Sequence, residues 1–299
     1  MELAQLDAFI AAADCGSFSR AAELLNVAQP SLSNRIQSLE REVNQPLFER
    51  MGRGVKLTDA GRAFQPYAQR IKRTLEDGLM VLAGTRDGTT GRLSIGTAPA
   101  VGTYVLPRVL KTFCDNREGV DVLVRTGHSD EVLEMVLADD VQVGFGRPIN
   151  HPDVRTIHLY QDELVLVVSS DHRYAKRGTV KVEELAEDSL ILFDRDSGYF
   201  GLIMGLFQGL GVVPRQQMQL DSIEATKKMV EQNLGIALLP ELSVEREIRL
   251  GTLHKVHIAA AQPIRRDIAV FYRRSKPQSG PMSAFLDLIG EMYHQKLPR

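Results

Sequence analysis

Two sets of residues in this sequence have types and spacing that suit recognition chemistry. The first begins at Gln29. At 100° per residue, Pro30, Asn34, Gln37, Ser38 and Arg41 fall on one side of a helix whose other side is Leu32, Ile36, Leu39 and Val43, with Ser31 and Ser33 flanking the polar side near its start. Short hydroxyl and amide groups projected from a helix are the kind of donors and acceptors that read base edges in a duplex major groove. Further on, Arg50, Arg53 and Lys56 fall within seven residues with only Glu49 beside them, a local cationic patch in a chain whose net charge is -2. The second set sits where apolar runs give way to helical patterns: Gly96-Thr97-Ala98-Pro99-Ala100-Val101-Gly102-Thr103, Thr126-Gly127-His128-Ser129, Phe145-Gly146-Arg147, and Phe193 followed by Asp194-Arg195-Asp196-Ser197-Gly198-Tyr199-Phe200. Backbone N–H groups and hydroxyls gathered at helix N-termini make a natural anion seat. The plainer alternative is that Thr97 and Thr103 are helix caps and that Arg147 pairs with Asp139 or Asp140.

The elements that must hold the first set read clearly. Leu3, Leu6, Phe9, Ile10 and Ala13 mark one face of a helix ended by Gly16, and Ser17 caps a second helix with Phe18, Ala21, Ala22 and Leu25 on its inner side. A turn through Asn26, Val27 and Ala28 leads to a third helix opened by Pro30. Two short helices, a tight turn and a third with a split face make a helix-turn-helix. Residues 47–50 and 55–57 bracket Met51-Gly52-Arg53-Gly54 as a hairpin, or wing. Thr58 then caps a long helix running to about Arg86. In it Phe64, Ala68, Ile71, Leu75, Gly78 and Leu82 recur at the spacing of a coiled-coil seam, along which two chains can pair. Pro66 within it predicts a kink, or a proline tolerated inside a bundle. Asp87-Gly88-Thr89-Thr90-Gly91 reads as a flexible hinge.

From Arg92 onward short apolar strands alternate with helices: 93–96, 120–126, 141–145, 164–168, 190–193, 236–239 and 268–272. That alternation predicts mostly parallel sheets covered by helices, in two α/β lobes, with the last strand returning to the first lobe. The expected organisation is a winged helix-turn-helix at 1–58, a linker helix at 59–87, a hinge at 88–91 and an α/β sensor domain of two Rossmann-like lobes at 92–299. Lobe I takes about 92–161 and 267–299, and lobe II about 162–266. The chain of 299 residues, 43% hydrophobic and 25% charged, is ordinary for a globular protein. The net charge excludes a protein that coats nucleic acid by bulk charge. Neither a membrane-length apolar run nor a signal peptide is evident, which places the protein in the cytoplasm with no membrane partner.

Residues 17–61, SFSRAAELLNVAQPSLSNRIQSLEREVNQPLFERMGRGVKLTDAG, resemble the DNA-binding signature of the LysR-type transcriptional regulators nearly position by position. Residues 221–241, DSIEATKKMVEQNLGIALLPE, resemble a segment from the second lobe of that family's sensor. Departures are local: Ala28 stands where the family often has Thr or Ser, and Val43-Asn44-Gln45-Pro46 replaces a turn that commonly contains Gly. The resemblance implies groove contacts from Gln29, Pro30, Ser31, Ser33 and Asn34, and phosphate contacts from Arg35 and Ser38. Arg53 would enter the minor groove while Arg50 and Lys56 anchor the hairpin. It also implies a sensor similar to type 2 periplasmic binding proteins. Its partners would be double-stranded operator DNA, a small effector between the lobes (a carboxylate or an inorganic oxyanion), a second copy of the chain in a dimer or tetramer, and RNA polymerase. The effector would touch the strand-end residues Thr97 to Thr103, Thr126, Gly127, Ser129, Phe145, Arg147, Phe193, Ser197 and Tyr199.

Two rival readings have weaker support. An enzyme is disfavoured because the seven histidines show no HExxH or CxxC companions, and neither a P-loop nor a GxSxG elbow is present; no metal or cofactor is expected. A thiol redox switch needs a partner for Cys114, and the only other cysteine, Cys15, lies far away; both read as reduced packing residues.

Overall fold

The computed structural model describes residues 1–52, 54–82, 88–115, 117–195, 197–209, 211–259, 261–275, 278 and 280–294, with only the backbone of Arg50, Asp77 and residues 80–82. They fall into two compact units, Met1–Arg86 and Asp87–Arg299.

In the first unit, α1 (Leu3–Cys15) ends at Gly16 with φ 62°, and α2 (Phe18–Leu24) is capped by Ser17, whose hydroxyl accepts from the Arg20 N–H. α3 (Gln29–Val43) follows, buries Leu32, Ile36 and Leu39, and lacks a side-chain cap at Ala28. Asn44 closes it at φ 53°, a left-handed position that asparagine tolerates better than most residues. β1 (Phe48–Arg50) pairs with β2 (Val55–Leu57). Glu40 on α3 accepts from the backbone N–H groups of Leu47 (2.7 Å) and Phe48 (3.1 Å), and Val55 N–H donates to Gly16 O at 2.9 Å. The hairpin is thus tied to both α3 and the α1–α2 turn. α4 (Asp59–Leu82) is capped by Thr58, whose Oγ1 accepts from Gly61 N–H at 3.0 Å. Gly61 is required by close approach: a Cβ there would lie 2.2 Å from Leu47 O.

α4 differs from expectation in three respects. Its described part ends at Leu82, and 83–87 lie outside the described residues. It passes through Pro66 without a break in the helix. Phe64 and Ala68 do not join a free seam, because they pack with Leu6, Phe9, Leu39 and Leu47 in the core of this unit, the Phe9 and Phe64 rings 5.3 Å apart. The stripe left open to solvent is Tyr67, Ile71, Leu75 and Leu79.

The second unit starts with β3 (Thr90–Thr97), α5 (Pro99–Tyr104), α6 (Leu106–Cys114), β4 (Gly119–Thr126), α7 (Ser129–Leu137) and β5 (Val143–Gly146). β6 (Val154–Ser169) carries the chain into lobe II, built of α8 (Arg173–Arg177), β7 (Thr179–Lys181), α9 (Val182–Glu187), β8 (Leu190–Phe193), α10 (Gly198–Gln208), β9 (Gln216–Leu220), α11 (Ile223–Glu231), β10 (Ala237–Pro240), α12 (Glu241–Leu250) and β11 (Leu253–Ala259). β12 (Ile264–Arg273) returns to lobe I, and α13 (Gly280–Met292) covers its core. The strands are ordered β4-β3-β5-β12-β6-β11-β7, with β10 also on β6 and β8 paired to β9.

The expectation of mostly parallel sheets holds for β3 with β4 and β5 and for β8 with β9, but fails at β6 and β12. β6 leaves lobe I and β12 comes back alongside it, so the two run in opposite directions and pair antiparallel. The hinge expectation also needs correction. Gly88 is buried with φ +65°, where a Cβ would meet Gly280 O at 2.7 Å, and Thr90 and Gly91 already belong to β3. Cys114 is exposed rather than packed, because α6 turns Val109 and Phe113 inward; Cys15 is half-buried, and both thiols are free.

Candidate functional site

On α3 the side chains of Gln29, Pro30, Ser31, Asn34 and Gln37 are exposed, while Ser33, Arg35 and Ser38 are half-buried at the edges of the same face. Gln29 Oε1 accepts from Ser19 on α2 at 3.2 Å, which holds the leading residue of the helix. Lys56 is exposed on β2; Arg50 contributes described backbone to β1, and Arg53 lies outside the described residues. The polar face is therefore open to solvent and is not sealed against its own unit.

In the second unit, a cavity of about 280 Å³ opens between the lobes. Lobe I contributes Ala98, Pro99, Ala100 and Thr103 from the β3–α5 segment, Ser129 from the start of α7 and Arg147 just beyond β5; lobe II contributes Phe193, Ser197 and Tyr199. The remaining sequence candidates stand behind the wall. Val101 and Phe145 fill the lobe I core, Thr97 is fully buried with its hydroxyl donating to Ala98 O (3.1 Å), and Gly102 packs on the Thr97 methyl. Gly127 faces Glu131 and Met135, and Thr126 ends β4 without lining the cavity. Neither threonine is a cap: α5 is preceded by Ala98, and Thr103 bonds back to Pro99 O at 2.9 Å. Arg147 pairs with Asp130 on α7, not with Asp139 or Asp140; Asp139 instead binds Arg273 at 2.9 Å.

Sequence reasoning missed Tyr104, Asp130, Asp221, Ser222, Glu224 and Arg266, and it named His128 only as part of a strand-end segment. Tyr104 Oη, from lobe I, donates to Glu224 of lobe II, whose carboxylate is also 2.8 Å from Lys227 Nζ. Burial and the neighbouring Glu224 carboxylate both push the Tyr104 phenol up. On another side of the cleft, His128 Nε2 stands 3.9 Å from Asp194. Ser197 and Ser222 cap α10 and α11 through their hydroxyls, at 3.2 Å to Tyr199 N–H and 3.3 Å to Ala225 N–H, so two helix N-termini end at the cavity. Ser222 was legible as an N-cap before an amphipathic run. Arg266 was not, because its place on a crossing strand is fixed by pairing rather than by local pattern.

Arg266 on β12 lies opposite Asp162 on β6, which is only 6% exposed. Burial pushes the Asp162 carboxyl up to about 6, with Arg266 opposing that shift and Glu241 adding to it. The folded value exceeds the roughly 3.9 of an unfolded aspartate. The stability this group gives through its tighter proton is therefore full below about pH 4 and is lost as pH rises through about 6. Asp162→Asn is expected to remove that loss, gaining about 1–3 kcal/mol over wild type at pH 7.5 and little at pH 4. Thermal unfolding at the two pH values checks it; an equal gain at both would contradict the assignment.

Among the described residues no cluster of His, Cys, Asp or Glu has the arrangement to hold a metal ion, and no helix is long and apolar enough to cross a membrane. Two family models match the chain: the bacterial regulatory helix-turn-helix protein, lysR family, over residues 3–62, and the LysR substrate binding domain over residues 86–293. The HTH-type transcriptional regulator YwqM of Bacillus subtilis (strain 168) is 33% identical, covering 98% of this chain and 100% of its own length. The HTH-type transcriptional activator CmpR of Synechocystis sp. is 29% identical over 96% of this chain and 94% of its own. Full-length CbnR, solved in complex with its target DNA, superposes with a TM-score of 0.75 at 27% identity, over 97% of this chain and 99% of that one. An open polar helix face beside a cationic hairpin, a two-lobed α/β unit with a cavity between its lobes, and matches across both units lead to one assignment: the chain belongs to the LysR family of transcriptional regulators, DNA-binding proteins modulated by a small-molecule effector.

Proposed function

We propose that α3 enters the major groove of operator DNA with Gln29, Pro30, Ser31, Ser33 and Asn34 toward the base edges. Arg35 and Ser38 meet phosphates, Arg50 and Lys56 anchor the hairpin to the backbone, and Arg53 reaches the adjoining minor groove. Two chains pair along the open stripe of α4. A small carboxylate or oxyanion bound between the lobes changes how the pair sits on its promoter. The lobes meet where β6 and β12 pair, with Gln161 opposite Asp267 and Asp162 opposite Arg266. Lobe I is then 92–161 with 267–299, and lobe II is 162–266.

The observation that carries this reading is the solvent-open polar face of α3, since a face buried against its own unit has no groove to read. That CbnR, similar over 97% of this chain, was solved in complex with its target DNA supports DNA binding by this chain. Ser33→Ala with Asn34→Ala is expected to weaken operator binding by about 10- to 100-fold while leaving binding to random duplex within about twofold, because base contacts carry sequence preference and phosphate contacts do not. Gel retardation on an operator selected from random duplexes measures both; equal retardation of the operator by wild type and the double variant would refute the assignment. For the effector, stabilisation of the protein by neutral or cationic compounds alone, in a thermal-shift screen, counts against an anion.

A further inference from the structure

The charges around the cavity are not evenly engaged. Arg147 is bound to Asp130, and Glu224 to Lys227 and Tyr104. Arg266 is different: among the described residues its side chain has no hydrogen-bond partner, and its Nε and Nη2 are buried without one. Its guanidinium carbon stands 4.1 Å from the Tyr199 ring centre, a cation–π contact that leaves the nitrogens without an acceptor. Nη1 lies 4.0 Å from where a Cβ on Gly198 would stand, so the guanidinium reaches the N-terminal end of α10. Tyr199 Oη is likewise buried and unbonded. Asp162 across the ladder forms no ion pair with Arg266.

A guanidinium over an aromatic ring, with two nitrogens buried and lacking acceptors, matches a carboxylate, whose two oxygens can satisfy both. The rest of the lining limits what else the ligand carries. Arg147 and Lys227 already neutralise Asp130 and Glu224, which leaves Arg266 with Asp221, so a second negative charge finds no unpaired arginine or lysine in the described lining while hydroxyl or ammonium groups find acceptors. The cavity, about 280 Å³, falls just below the range of roughly 300–1,000 Å³ typical of drug-sized sites, so the ligand is small.

We infer that the cavity selects a small monocarboxylate carrying hydroxyl or ammonium donors, its carboxylate held by Arg266 over Tyr199, and that it discriminates against dicarboxylates and phosphate. This rests on the reading that an anion occupies the cleft. Because Arg266 sits on the strand that joins the lobes, the same contact ties ligand binding to their relative position.

Calorimetric titration of the full-length protein at pH 7.5 with glycerate, serine, succinate, inorganic phosphate and glycerol tests both levels. Glycerate or serine is expected to bind at least about tenfold more tightly than succinate or phosphate, and glycerol not at all. Arg266→Met and Arg266→Lys are each expected to weaken that binding by about 10- to 100-fold, the lysine variant keeping the charge but losing the planar fork. Unliganded thermal unfolding of both variants checks that they fold. Tighter binding of succinate or phosphate, or unchanged binding by the two folded variants, overturns the inference and leaves an anionic effector standing. Binding of glycerol alone, or of none of the anions, overturns the anionic effector itself.

Discussion

Aspartate at both Ile71 and Leu75 is expected to leave a monomeric chain that holds its operator at least about a hundredfold more weakly than wild type. Both residues lie on α4 with about two fifths of their surface exposed, at 41% and 40%, between Tyr67 at 59% and Leu79 at 57%. Four large apolar groups on successive turns of one helix are too much open surface for a lone helix, and their spacing of four residues keeps them along one side of it, where a second helix can cover them. Placing charges in that seam costs the pair its apolar contact and adds like-charge repulsion across it. A single helix-turn-helix then contacts one half-site, and the gain from linked binding, about 10²- to 10⁴-fold, is lost. Sedimentation gives the mass and gel retardation the affinity. A double variant that remains dimeric would remove α4 from the interface; one that is monomeric yet binds at full strength would remove the need for pairing.

Lys227→Met is expected to cost the second unit about 3–5 kcal/mol, the largest stability loss anticipated for any single change here. Lys227 on α11 is 3% exposed, and its Nζ donates to Ser243 O at 2.9 Å and to Glu247 at 3.1 Å while standing 2.8 Å from Glu224. Glu247 is itself buried, with Oε2 already lacking a hydrogen-bond partner. Removing the ammonium leaves a carboxylate in the interior with nothing to neutralise it. It also removes one of the hydrogen bonds that hold Glu224, against burial, below the usual carboxylate range. The thermal midpoint should fall by about 10 °C, since 1 kcal/mol moves a unit of this size by roughly 2–4 °C. Adding Glu247→Leu should recover part of the loss, because the orphaned charge then disappears. A double variant no more stable than the single would show that the cost lies in packing instead. The link from Tyr104 of lobe I to Glu224 runs through this cluster, so the single variant is also expected to weaken the tie between the lobes.

Local rules made the first unit readable. Gly16 and Ser17 punctuate α1 and α2, the apolar stripe of α3 declares its buried side, and residues 47–57 alternate around a glycine-rich tip. Each signal is written within a few residues of the element it sets. The sensor cleft was half-readable for the same reason: the starts of α5, α7 and α10 follow strands in sequence, so Pro99, Ser129, Ser197 and Tyr199 could be named. Arg266 and Glu224 come to the cavity by long-range pairing and lobe closure, which no window of sequence encodes. The errors share that origin. Phe64 and Ala68 carry the right spacing for a seam, but Phe9 is waiting for them. Gly88 has the composition of a hinge, yet its positive φ serves a tight fit against Gly280. Cys114 sits one residue past Phe113, and that single step of 100° turns it to water.

The return of β12 between β5 and β6 has a consequence for synthesis. Lobe I begins early in translation, but β5 keeps a raw, unpaired edge until β12 is made, and its hydrophobic centre lacks Ile268, Val270, Phe285 and Ile289 until α13 follows. Lobe II, inserted between the two halves, emerges from the ribosome while its older neighbour is still open. A premature stop codon shortly before residue 264 would therefore do its worst damage to the part of the sensor that was translated first.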